Sequence, residues 1–198
     1  MAEALLVSNL ILWAIVILLG LVTLALARQV GVLYERIAPA GALIIDKGPR
    51  VGERAPLFEL RDLAGRALKL GGLNPEGRST VLMFVSPTCP VCKKLLPIAR
   101  SLVKAEPAAE LVFASDGEEE DQRRFVAREQ LASFPYVLSR ELGMAYQIGK
   151  LPYAVLIDGE GVIRAKGLIN TREHLESLFE AQRVGVGSLQ DYLGVQRG

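Results

Sequence analysis

Hydrophobic positions along this chain fall into two regimes. From Leu5 to Ala27, LLVSNLILWAIVILLGLVTLALA, apolar residues run without a charge and without a polar helical face. A helix of about 20 apolar residues crosses the hydrocarbon core of a bilayer, so the run predicts one N-terminal transmembrane helix. A buried core helix is usually shorter and keeps a polar face. A cleavable signal sequence has a basic start and an apolar core of only about 7–15 residues, although Ala25-Leu26-Ala27 resembles a cleavage site.

Beyond this run the pattern is punctuated. RQVGVLYERIAPAGALIIDKGPR is broken by Gly31, Pro39, Gly41, Gly48 and Pro49 and reads as a connector, with Val30 to Ile37 continuing the helix to the membrane surface. From Val51 short apolar runs alternate with amphipathic ones. PLFEL and RALKL read as strands around a turn at Asp62-Leu63-Ala64-Gly65, and STVLMFV reads as a buried strand. Pro90 to Glu106 reads as a helix, ELVFAS as a strand, EEEDQRRFVAREQL as an amphipathic helix and PYVLS as a short strand. YAVLID and GVIRAKGLI form a hairpin around Gly159-Glu160-Gly161, and TREHLESLFEAQ is a closing helix capped by Asn170 or Thr171. This order predicts an α/β sandwich with a central mixed sheet. The expected organisation is a membrane anchor over 1–27, a connector over 28–50, a folded domain over 51–183 and a loosely held tail over 184–198.

Composition agrees with one domain plus an anchor: 198 residues, 51% hydrophobic and 23% charged, with a formal net charge of +1. So balanced a charge gives no broad basic field and no reason to expect nucleic acid as a partner. Orientation is contested. Glu3 precedes the apolar run, whereas Arg28, Arg36 and Lys47 follow it, which by the positive-inside rule favours a cytoplasmic domain. A reactive cysteine pair fits an oxidising compartment, although catalytic pairs also work in the cytosol.

The chemistry concentrates in FVSPTCPVCKKLLP, which holds both cysteines of the chain where a strand gives way to a helix. Pro90 suits the first helical turn, where its missing N–H is not needed. Free N–H groups at that helix end favour a thiolate on Cys89, and Lys93 and Lys94 add positive charge about one turn away. Cys89 is thus the expected nucleophile, and Cys92, one turn further in, the resolving thiol. A structural zinc site needs about four ligands, and His174 is the only histidine available to join the pair, so no metal is expected. A structural disulfide closing so short a loop would stabilise little. DGEEED, Asp116 to Asp121, reads as a solvated first helical turn rather than a cation site, and His174 as a residue of a polar helix face.

SPTCPVCKKLLP, followed by KLPYAVLID, resembles the thioredoxin superfamily, with Pro97 after the second cysteine and Pro152 ahead of a late strand. The resemblance implies a thioredoxin-like sandwich in which Pro152 is a cis-proline facing the active site and Leu151 offers its backbone to a substrate strand. A trans proline that merely opens an edge strand is the alternative. VGERAPLFELRDLAGRALKL is similar to the start of membrane-anchored proteins of the TlpA and peroxiredoxin-related kind. LARQVGVLYERIAPAGAL, SDG and GLINTREHLESL, together with the cysteine and proline motifs, resemble the MauD family, which assists methylamine dehydrogenase maturation.

That resemblance implies an inner-membrane, single-pass protein with its domain in the periplasm. It also implies the disulfide-rich small subunit of methylamine dehydrogenase as client, an integral-membrane electron partner encoded nearby, and no cofactor. Alternatives are a tethered binding chaperone without redox turnover and a TlpA-like reductant for cytochrome c maturation. The sequence also departs from ordinary thioredoxins. Met83 stands where they place a buried aspartate and reads as a gap-filling core residue, while Thr88 replaces their usual tryptophan.

Overall fold

The structure is a computed structural model that describes residues 2–36 and 48–184. The connector residues 37–47 and the tail 185–198 lie outside the described residues. The chain divides into two units, Met1–Ile45 and Asp46–Gly198.

The first unit holds helix α1, Ala2–Arg36. Within it Leu6–Ala25 forms a 20-residue stretch of mean hydropathy 2.5 whose side chains stay exposed, long and apolar enough to cross a membrane. The Thr23 hydroxyl donates to the Leu19 carbonyl at 2.8 Å, which satisfies a polar group inside the apolar run.

The second unit begins with a small antiparallel sheet, β1 (Phe58–Arg61) and β2 (Ala67–Leu70). Asp62 fixes its turn. One carboxylate oxygen accepts from Ala64 N and Arg66 N, and the other from the Arg66 side chain at 2.6 Å. The chain continues through β3 (Ser79–Phe84), α2 (Pro90–Ala105), β4 (Ala109–Ser115) and α3 (Glu119–Arg128). It ends with β5 (Tyr136–Leu138), α4 (Arg140–Ala145), β6 (Tyr153–Ile157), β7 (Ile163–Leu168) and α5 (Arg172–Val184).

A five-stranded mixed sheet in the order β5-β4-β3-β6-β7 forms the centre. β3 runs parallel to β4, and β4 to β5, whereas β6 is antiparallel to both β3 and β7. The uninterrupted apolar strands are explained by burial on both faces. Val81, Met83 and Val85 enter one core with α2 and α5, while Leu82 and Phe84 enter the other, with Leu142 and Tyr146. β4 and β6 alternate in the same way. Met83, fully buried beside Leu95 and Phe113, is the core residue its chemistry suggests.

The segment around PYVLS differs from the expectation. PYVLS ends one residue early as a strand, because Ser139 caps α4, its hydroxyl accepting from Leu142 N at 3.1 Å. The helix α4 itself is not among the predicted elements. At the closing helix, Thr171 rather than Asn170 supplies the cap, its hydroxyl accepting from His174 N at 3.4 Å. His174 is exposed and takes the Asn170 N–H on its Nδ1.

Candidate active site

The end of β3 feeds a short loop, Val85 to Thr88, that delivers Cys89 to the start of α2. Cys89 N donates to the Ser86 carbonyl at 3.1 Å, and the Ser86 and Thr88 hydroxyls lie 3.0 Å apart. Cys89 takes an extended conformation, φ −86° and ψ 109°, as the N-cap of the helix. Its sulfur accepts from Cys92 N at 3.1 Å, so the Sγ of one cysteine rests on the backbone of the other. Pro90 occupies the first turn, where no intrahelical donor is lost.

The two sulfurs face different environments. Cys89 is half-buried and Cys92 fully buried, among Met83, Val85 and Leu95. Burial first, and then the hydrogen bond with Cys89, push the Cys92 thiol from its ordinary 9.0 up to about 12. One sulfur is therefore open to a partner, and the other is a protonated thiol held in the core.

Strand pairing brings the proline loop to the same place. β6 is antiparallel to β3 with Tyr153 opposite Phe84, so the preceding Leu151–Pro152 peptide falls beside Val85 and the cysteine loop. That peptide is cis. Pro152 is buried and its carbonyl accepts from Ile169 N, whereas Leu151 is 37% exposed and has no backbone hydrogen-bond partner among the described residues. Cys89, Cys92, Pro90, Leu151 and Pro152 thus converge on one edge of the domain.

Two further features were not visible in the sequence. A buried Tyr136 hydroxyl donates to Gln122 Oε1 at 2.7 Å, and Gln122 Nε2 donates to the Asp116 carbonyl at 2.6 Å. Tyr136 belongs to the same core as Cys92, and burial pushes its phenol up to about 12. The other feature is a groove of about 730 Å³, between α4 and the C-terminal ends of β3 and β4, that reaches Val85 and Leu151. Only Ser139, a good cap residue ahead of Arg-Glu-Leu, signals α4 in the sequence. In the acidic run, Glu119 to Asp121 form the exposed first turn of α3, where Glu119 pairs with Arg123 and Asp121 with Arg124.

A mixed sheet, a C-x-x-C at a helix N-terminus and a cis-proline beside it define a thioredoxin-like dithiol protein. Residues 51–166 match the AhpC/TSA family. The chain is 51% identical to the methylamine utilization protein MauD of Paracoccus denitrificans, over 100% of this chain and 98% of that protein. It is 50% identical to the MauD of Methylorubrum extorquens, over 96% and 93%. The crystal structure of StoA from Bacillus subtilis superimposes with a TM-score of 0.53 at 26% identity, covering 65% of this chain and 98% of that one. The chain belongs to the MauD family of thioredoxin-like proteins.

Proposed function

We propose that this chain is a membrane-anchored, periplasmic thiol-disulfide oxidoreductase that assists disulfide formation or isomerisation in the methylamine dehydrogenase small subunit. The observation that carries the reading is the division of labour between an accessible Cys89 at a helix N-cap and a fully buried Cys92 whose N–H rests on the Cys89 sulfur. Likeness to MauD proteins along nearly the whole chain supports methylamine utilization as the setting. The apolar stretch Leu6–Ala25 supports a single-pass inner-membrane tether.

In the reducing direction, the Cys89 thiolate attacks one sulfur of a client disulfide, forming a mixed disulfide and releasing the other client sulfur as a thiolate. Cys92 then loses its proton and attacks Cys89 Sγ, which closes the Cys89–Cys92 disulfide and frees the second client thiolate. The reverse sequence oxidises a client dithiol, and isomerisation stops at the mixed disulfide and returns to a different client pairing. Pro152 shapes the surface beside the reacting sulfur, and Leu151 offers its free backbone groups to an extended client segment. Net turnover in either direction needs an electron partner, for which an integral-membrane thiol protein is the natural class.

Cys92→Ser should accumulate mixed disulfides with the client, whereas Cys89→Ser should not, as read on non-reducing gels of cells growing on methylamine. Equal trapping by both variants, or normal client bridging when both cysteines are serine, would replace this reading with that of a tethered binding chaperone.

A further inference from the structure

The groove that reaches Val85, at the start of the cysteine loop, and Leu151 has a chemical character of its own. Phe84, Val85 and Ala114 give it an apolar floor, and Met144, Ile148 and Leu151 continue that surface up one wall. Met144 is 66% exposed and Leu151 37%, bare apolar surface on the groove wall that runs into the proline loop. The rim is cationic. Arg140 on α4 and Lys150 in the proline loop both line the groove, and among the described residues Asp116 is the sole acidic one lining it. Neither Arg140 nor Lys150 has an ion-pair partner among the described residues. By contrast, Arg123, Arg124 and Arg128 of α3 are paired with Glu119, Asp121 and Glu129. Lys93 and Lys94, in the first turns of α2 after Cys89, are likewise without ion pairs among the described residues. In a chain with a formal net charge of only +1, the described residues thus set cations without ion pairs along a groove that reaches the proline loop.

We infer that this groove selects client segments in which the reacting cysteine is flanked by an apolar residue and by carboxylates, with Arg140 and Lys150 as the residues that read the charge. This rests on the oxidoreductase reading and adds its substrate class. An extended segment paired with the free backbone of Leu151 sends alternate side chains into the groove and away from it. An apolar side chain two residues from the cysteine therefore meets Met144 and Leu151, and a carboxylate nearby meets the Arg140–Lys150 rim. The guanidinium of Arg140 suits a carboxylate in two-pronged geometry, and Lys150 adds a point charge. Exposed charges of this kind act mainly on encounter rate and partner choice, and salt screens them.

The test uses the full chain carrying Cys92→Ser, in non-ionic detergent, so that the first exchange is isolated. The probes are extended synthetic peptides with one cysteine activated as a mixed disulfide with 2-thiopyridine, flanked in one by glutamates and in the other by glutamines. Attack by Cys89 joins its sulfur to the peptide cysteine and releases 2-thiopyridone, which is followed by its absorbance. At low ionic strength the acidic peptide should react about fivefold to tenfold faster than the neutral one, and the ratio should shrink as salt is added. Combining Arg140→Gln with Lys150→Gln should bring the ratio close to unity, and Arg140→Glu with Lys150→Glu should invert it. Equal rates at low salt, or a preference that persists in the glutamine variant, would overturn the inference while leaving thiol exchange intact. If neither peptide reacts faster than with Cys89→Ser, the oxidoreductase reading fails and this inference falls with it.

Discussion

Cys92 pairs a nucleophilic element with an environment that resists ionisation. It lies in the apolar core that also holds Met83, Val85 and Leu95, and it is fully buried. Because burial raises its folded value from 9.0 to about 12, the unfolded chain gives up this proton first. Its contribution to stability is therefore complete below 9.0 and is lost progressively as pH rises to about 12. In the reduced protein, the unfolding midpoint should fall more steeply with pH over that interval in wild type than in Cys92→Ala. Parallel pH profiles would show that Cys92 titrates normally. The same burial predicts that iodoacetamide at neutral pH modifies Cys89 and spares Cys92 in the folded protein.

The cysteine spacing and the proline ahead of an apolar run are local signals, so these positions could be singled out from sequence. The Tyr136–Gln122 bond could not be, because it joins β5 to α3 through the interior, and nothing local marks either residue as a partner. Met83 was legible for a different reason: a methionine inside a continuous apolar strand has little else to do than fill space.

Among the elements, the two hairpins use the same device. Asp62 and Asp158 each accept backbone N–H groups across a turn and pair with an arginine just beyond, Arg66 at 2.6 Å and Arg164 at 2.5 Å. The second hairpin depends in addition on Gly161, whose φ of +79° is strained for any residue with a side chain. A Cβ there would also run into the backbone of Gly72. Gly161→Ala should cost about 2–4 kcal/mol of stability through backbone strain and the clash, seen as a lowered thermal midpoint. A variant within about 0.5 kcal/mol of wild type would mean that the turn can rearrange without loss.

Strand and helix types were readable because each carried its own period or a continuous buried run. α4 was not, because six residues, RELGMA, are too short to display a helical period. Its position becomes meaningful only after the sheet has assembled and made it a groove wall.

At the scale of the whole molecule, α1 outlasts its apolar stretch. The helix runs to Arg36 while the stretch ends at Ala25, so about 16 Å of helix continue beyond it. Arg28 and Arg36 lie in that extension, on the side where the positive-inside rule would put the cytoplasm. Charge near a span biases orientation most strongly for short loops, whereas long domains are translocated largely regardless of it. The folded unit that follows is long, and the proposed chemistry needs disulfide-bearing clients, which favours export. On the proposed function a tether gains by confining the thiol near emerging clients and a membrane electron partner, raising their effective concentration. The accessible Cys89 offers a direct measurement, since a membrane-impermeant maleimide reaches only thiols outside the inner membrane. In spheroplasts expressing Cys92→Ser under reducing conditions, the reagent should label Cys89 before lysis, to the same extent as after it. Labelling that appears only once the membrane is broken would place the domain in the cytoplasm. It would then remove the periplasmic client, and the oxidising setting with it, from the proposed function.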